Sequence, residues 1–221
     1  MEGTRDAILR QLRMARSMEV PKRIQLPPPY EAAMTREEWI EKFAAKLGEQ
    51  TGVFYRTADT TGVLEILSNL VRQEGLKNVI ASEDGLITAL NLKLWGADQG
   101  VSVSFPHDFK DRKDYQDTVF NHADAGMTAA DFAVAESGTL AIIHDKSNAR
   151  LLSLAPALHI AVVEAKNVVP VYESVMESVF LNGQSPSQLC FITGPSMTAD
   201  IQGQMFKGMH GPRKLIVIMV G

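Results

Sequence analysis

Cysteine is almost missing from this chain: Cys190 is the single one in 221 residues. No disulfide can therefore close within the chain, and four of its own thiolates cannot hold an iron–sulfur cluster. Long apolar runs are missing as well. Nothing approaches the roughly 18 apolar residues of a membrane span, and the opening M-E-G-T-R-D is charged where a signal sequence would be apolar. Nor is there an excess of positive charge: the net charge is −4, which argues against a nucleic-acid binder that relies on a basic surface. G-x-G-x-x-G, the Walker A lysine loop, the G-x-S-x-G elbow and H-E-x-x-H are all absent, so the common dinucleotide, nucleotide-hydrolysis, serine-hydrolase and zinc-protease readings lose support. What is left is a soluble protein expected in the cytoplasm, with 45% hydrophobic residues, enough for one sizeable core.

The charge is unevenly spread. Residues 1–23 hold six basic side chains (Arg5, Arg10, Arg13, Arg16, Lys22, Arg23) against Glu2, Asp6 and Glu19, a local +3 that leaves −7 for the remainder. Residues 4–17 suit a short helix with Ile8, Leu12 and Ala15 on one face, too narrow a stripe to fold alone. A proline-rich segment, E-V-P-K-R-I-Q-L-P-P-P-Y, follows as an extended linker. Residues 1–34 are thus expected to form an N-terminal helical arm, and residues 35–221 the globular domain. Thr35 and Glu38 have the spacing of a capping box, and Val63, Ile66, Leu67, Leu70 and Val71 trace a helical stripe that stops at Gly75. A helix is expected over 86–94.

Strand, helix and strand alternate through the first half, and apolar strands recur at 132–135, 140–143, 160–164, 189–193 and 215–220. Such alternation predicts an α/β fold with a mainly parallel sheet and helices on both faces, these later strands lying at its centre. Cys190, in the run 189–192, reads as a core thiol. The charged segment 105–124 carries His107, Asp108, Asp111, His122 and Asp124 at spacings that match no standard metal motif. It reads as a solvated loop or lid, and no metal is expected.

Chemistry is sought first at Glu136, which precedes a Ser137-Gly138 corner and the buried run 139–143. Burying an ionised carboxylate without partners costs several kcal/mol, so this one is expected to be solvated in a cleft, hydrogen-bonded or protonated. Three loops are expected to share that cleft at the carboxyl ends of strands. In residues 144–150, Lys146 and Arg150 flank Ser147 and Asn148, a composition suited to an anion. Residues 194–200 offer Ser196, Thr198 and Asp200 at an expected helix start, where the hydroxyls can cap and expose free amides. Residues 210–213 carry His210, a candidate acid or base near neutral pH. His159, at the head of an apolar strand, is read as structural.

Taken together, E-S-G-T-L at 136–140, R-L-L-S-L-A-P-A-L-H-I at 150–160, I-T-G-P-S-M-T-A-D-I at 192–201 and G-M-H-G-P at 208–212 resemble the lactate-utilisation (LUD) domain family over residues 35–221. The resemblance implies a fold similar to the sugar-phosphate isomerase and acyl-CoA transferase group. It also implies a part in oxidising L-lactate to pyruvate as a non-redox subunit, with iron–sulfur clusters on partner subunits and none on this chain. A small carboxylate is the implied ligand. The alternative is a stand-alone enzyme on a small anionic substrate, with Glu136 as a carboxylate nucleophile by fold analogy or with Glu136 or His210 moving a proton.

Overall fold

The computed structural model describes residues 4–14, 33–145, 147–181, 186–199 and 205–221. Helix α1 (Thr4–Met14) leaves Ile8 and Met14 exposed. The expected capping box is present at the start of α2 (Arg36–Glu49): Thr35 accepts from the Glu38 amide at 3.3 Å, and the Glu38 carboxylate takes the Thr35 amide at 2.6 Å. Strand β1 (Val53–Thr57) leads into α3 (Thr60–Glu74). Asp59 caps α3, and Gly75 ends it in the left-handed region at φ 68°. Its buried residues Val63, Leu67 and Leu70 belong to the stripe read from the sequence.

After β2 (Asn78–Ala81), the single helix expected at 86–94 is two, α4 (Gly85–Thr88) and α5 (Leu92–Gln99). They break at Asn91, which sits at φ 49°, a conformation asparagine tolerates better than most residues. Strand β3 (Ser102–Ser104) precedes the charged segment, and there the expected loop is half helix: α6 (Arg112–Asn121), capped by Asp111. Tyr115 and Val119 form its inward stripe, too short to stand out among the surrounding charges.

Strands β4 (Ala125–Ala129), β5 (Phe132–Val134) and β6 (Thr139–His144), helix α7 (Leu151–Leu154), strands β7 (Leu158–Glu164) and β8 (Val168–Val169), and helix α8 (Tyr172–Phe180) then follow in turn. The chain closes with β9 (Gln188–Ile192), the short hairpin of β10 (Met197–Ala199) and β11 (Met205–Lys207), and β12 (Lys214–Val220).

Six strands make one parallel sheet in the order β1-β12-β7-β4-β2-β3. Its strands are apolar on both faces because both are covered. Ile160, Val162, Ile216 and Ile218 meet α3 and α5, whereas Ala161, Val163, Leu215, Val217 and Met219 face the other way. Helices α2, α6 and α7 lie on that second side. A second sheet, β8-β5-β6-β9, shares it, with antiparallel pairing of β5 to β6 and of β6 to β9. The strands at 132–135, 140–143 and 189–193 therefore do not lie in the parallel sheet; they form the layer on top of it. Strand β9 is the outer strand of that layer, so Phe191 is 39% exposed and Cys190 only partly buried rather than in the core.

Gly138 marks where the second sheet meets α2. It sits at φ 68°, and a Cβ built there would lie 2.3 Å from the Leu47 amide nitrogen. Gly75 has the same φ of 68° but nothing within 4 Å. Gly75→Ala should cost about 1 kcal/mol, the left-handed penalty alone, and Gly138→Ala upward of about 2 kcal/mol more because backbone must move. Urea denaturation of the two variants measures the difference; equal losses would show that the corner is not packed against α2.

Candidate functional site

The three loops that carry the predicted site residues are divided between opposite ends of the parallel sheet. Ser147 and Asn148 lie over the carboxyl ends of β2 and β4: Glu83 donates its amide to Ser147 O at 2.7 Å, and Asn148 Nδ2 donates to Ala129 O at 3.2 Å. Residues 193–196 and 208–213 sit at the amino ends. There Ser196 donates its amide to Pro212 O and Arg213 donates to Ala157 O, just before β7. Glu136 is on this amino-end side, since neighbouring Gly138 abuts the last turn of α2, from which β1 departs. Arg150 pairs with Gln188 near the far end of β6. Six residues of strand span roughly 17 Å, so Glu136 and Arg150 do not share a cleft.

Glu136 has a defined local partner: its Oε1 accepts the amide of Tyr172 at 3.0 Å, at the start of α8. The Tyr172 hydroxyl returns to Thr139 Oγ1 at 2.7 Å, and Thr139 also reaches Ser137 and Thr193 at 2.8 and 3.0 Å. Four hydroxyls thus tie the E-S-G-T corner to the end of β9. Hydrogen bonding is the outcome realised among those open to this carboxylate.

Ser196 and His210 do come together. They line a cavity of about 250 Å³ with Ser153 and Leu154 of α7, Phe191 to Gly194, Gly211, Pro212, and the second residues of β7 and β12, His159 and Leu215. Ser196 caps no helix: the expected helix start is β10, where Thr198 pairs with Phe206 across the hairpin. Thr198 is therefore a strand residue and not among those lining the cavity. Lys146 and Asp200 lie outside the described residues.

His159, read from the sequence as structural, also lines this cavity. It is 1% exposed, its Nε2 lies 2.9 Å from the Thr128 hydroxyl, and its Nδ1 is buried without a partner among the described residues. Nearby His144 donates Nδ1–H to Asn148 O at 3.1 Å and leaves Nε2 buried and unpaired among the described residues. An unsatisfied buried polar atom costs about 1–3 kcal/mol, so two such atoms on neighbouring rings call for a reason. Burial, with a smaller contribution from His144, pushes the His159 imidazole down to about 3; burial chiefly lowers His144 too. Both rings are neutral at pH 7. A histidine at the head of an apolar strand was the available signal, but only the gap under β9 and α7 distinguishes a cavity floor from ordinary core.

The carboxyl ends hold a different arrangement. The chain runs from β2 out to β3 and back to β4, so the topological switch falls between β2 and β4. Asp84 lies there, capping α4 and accepting from Ser82 and from the Ala129 amide. Asp131 accepts the Ile143 amide at 2.6 Å; burial first, then Asp84 and Asp145, raise its carboxyl above the ordinary range. His107 pairs with Glu83, Asp111 caps α6, His122 faces Asp117, and Asp124 holds the amides of Lys77 and Asn78. The acids and histidines of 105–124 are thus dispersed into separate structural roles. Among the described residues no group of three His, Cys, Asp or Glu is placed to hold a metal ion.

The LUD domain family profile matches residues 40–220. A protein of Oceanobacillus iheyensis called Lactate utilization protein C is 39% identical over 102 residues, covering 44% of each chain. One of the same name from Macrococcus caseolyticus is 32% identical over 165 residues, 73% of this chain and 69% of that protein. The crystal structure of a DUF162 family protein from Deinococcus radiodurans superposes with a TM-score of 0.56 at 21% identity, over 85% of this chain and 99% of that one; this likeness concerns the fold alone.

The neutral histidines predict an acid-sensitive fold. Unfolded imidazoles take up protons near 6.5, whereas folded His159 resists to about 3, so the unfolded state binds more protons in between. Stability is full above about pH 6.5 and is lost as pH falls, with about 1.4 kcal/mol per pH unit from His159 between about pH 6 and 4. Urea titrations at stepped pH should show His159→Asn flattening the acid limb by that amount. An unchanged limb would mean the ring is not held neutral.

Proposed function

Because the chain belongs to the LUD domain family, we propose that it serves lactate utilisation, as a non-redox member of a cytoplasmic system that oxidises L-lactate to pyruvate. The observation that carries the reading is the match to proteins called Lactate utilization protein C, extending over 73% of this chain in the Macrococcus case. Oxidation at C2 of lactate removes two electrons and two protons. With Cys190 alone, this chain cannot ligate a four-thiolate cluster, so the electron acceptors belong to iron–sulfur partner proteins, and the chain itself needs no resident cofactor. Among the described residues no helix is long and apolar enough to cross a membrane.

Within this reading the cavity at the amino ends takes the small carboxylate. Ser196 and His210 supply hydroxyl and imidazole at its wall, and Phe191, Leu154 and Leu215 supply an apolar side for a methyl group. The proposed role of Arg150, Lys146, Thr198 and Asp200 is to steer the anion or the partner rather than to touch the reacting carbon. The proposed role of the N-terminal arm expected over residues 1–34, of which 4–14, 33 and 34 are described, is docking. Glu136, held by Tyr172 on a hydroxyl network that reaches the cavity wall at Thr193, positions that wall.

Deletion of the gene should abolish growth on L-lactate and spare growth on glucose, and affinity capture of the tagged chain from lactate-grown cells should bring down iron and acid-labile sulfide. Ser196→Ala with His210→Ala should reduce lactate-dependent growth at least about tenfold in rate-limiting conditions, the loss expected for two hydrogen bonds to a charged substrate. Undiminished growth of the deletion strain on lactate would end the proposal.

A further inference from the structure

Helix α6 carries one aromatic side chain that its own packing does not use. Tyr115 and Val119 face inward, and Phe120 follows Val119 directly, turned about 100° away from it. Phe120 is 62% exposed. Leu154 of α7, at 40%, and Met209 of the 208–213 loop, at 64%, line the same groove of about 530 Å³. Large apolar residues exposed singly are ordinary, but three on one concave surface bordered by charge mark a place where another surface sits.

The two walls of the groove differ in charge. On the α6 side, Asp117 accepts Asn121 Nδ2 at 2.9 Å, and Asn121 lines the groove; His122 Nε2 lies 3.8 Å from the same carboxylate. On the opposite side is Arg213, exposed, whose stem rests on Gly208: a Cβ built on that glycine would lie 2.0 Å from Arg213 Cγ. That contact fixes the start of the side chain, and among the described residues no hydrogen bond or ion pair holds the guanidinium. Lys207, also exposed, adds charge of the same sign where Arg213 borders the neighbouring cleft. A groove basic on both walls would suit an acidic partner. One with acid on one wall and base on the other is complementary to itself across a two-fold axis.

We propose that this groove is the interface of a homodimer, its two-fold axis lying along the groove. Each α6 wall then faces the 208–213 wall of the other copy, which sets Phe120 over Met209 of the partner subunit and Asp117 against Arg213 of the partner subunit. The apolar centre supplies most of the attraction, and the rim ion pairs fix the register while adding little strength. The groove shares Leu154, His210 and Gly211 with the 250 Å³ cavity, so the second copy borders that cavity as well. Pairing of this kind does not depend on the lactate-utilisation reading.

The test is the solution mass of the whole purified chain, by analytical ultracentrifugation over a dilution series. The wild-type chain should sediment at twice the mass of one chain. Phe120→Asp, a surface change that spares the core, should weaken self-association at least about thirtyfold. Asp117→Arg alone and Arg213→Asp alone each put two like-charged contacts into the symmetric dimer and should weaken it at least about tenfold. Mixed in equal amounts, these two variants should pair again, because each meets opposite charge at both contacts, and recovery on mixing also shows that both are folded. A wild-type chain that is monomeric throughout overturns the homodimer and leaves the groove to another protein or to the N-terminal arm. A dimer that Phe120→Asp leaves intact, or charge reversals with native circular dichroism that do not recover on mixing, places the contact elsewhere and overturns the assignment of this face.

Discussion

Face-to-face packing of the small mixed sheet on one side of the parallel sheet is the constraint on which the rest of this structure depends. The contact is made by small and branched side chains: Ala133, Ala135, Leu140 and Ile142 from above, Ala161, Val163, Leu215, Val217 and Met219 from below, with Phe43 and Leu47 of α2 filling one flank. Alanines at the centre let the two layers close, and large residues at the margin complete the core. Each fully buried aliphatic side chain here contributes about 1.5–3 kcal/mol, so this interface ranks with the helix side of the sheet in holding the domain together. The E-S-G-T corner serves that contact, because a glycine at Gly138 lets the hairpin touch the backbone of α2.

The same packing creates the cavity. Where β9 and α7 reach past the starts of β7 and β12, no large side chain fills the gap, and His159 takes a position that a valine or leucine would hold in an ordinary strand. Its cost is visible in the unpaired Nδ1. The fold holds His159 neutral, because burial lowers its pKa to about 3. The carboxyl-end crevice at Asp84 and Asp131 is the other place where the fold concentrates charge, but its carboxylates are occupied by amides of α4, β4 and β6.

Much of the architecture could be read from the chain. The capping box at Thr35, the stripe ending at Gly75 and the doubly apolar strands β7 and β12 are local or periodic signals, and the structure has all three. Layer assignment was less legible. Strands β5, β6 and β9 have the same unbroken apolar character as parallel central strands, because a strand covered on both faces looks alike whichever sheet it joins. Helix α6 was hidden by charge, since two inward residues suffice when a helix only covers an edge. In the site, Ser196 and His210 were found together, whereas Glu136 and Arg150 proved to lie at opposite ends of one hairpin. The expected shared cleft rests on placing all three loops at the carboxyl ends of parallel strands, whereas β6 and β9 are antiparallel.

By itself the sequence determined the fold class, the exclusion of a cluster built on this chain's own thiolates, and the family resemblance, all of which depend on composition, period or ordered motifs. Only the tertiary structure decided which sheet each strand joins, which end of that sheet each loop occupies, and that His159 floors a cavity. The reason is physical: periodicity records that a side chain is buried, but not what it is buried against. A histidine among aliphatic neighbours is the same in sequence whether packing closes over it or stops one side chain short.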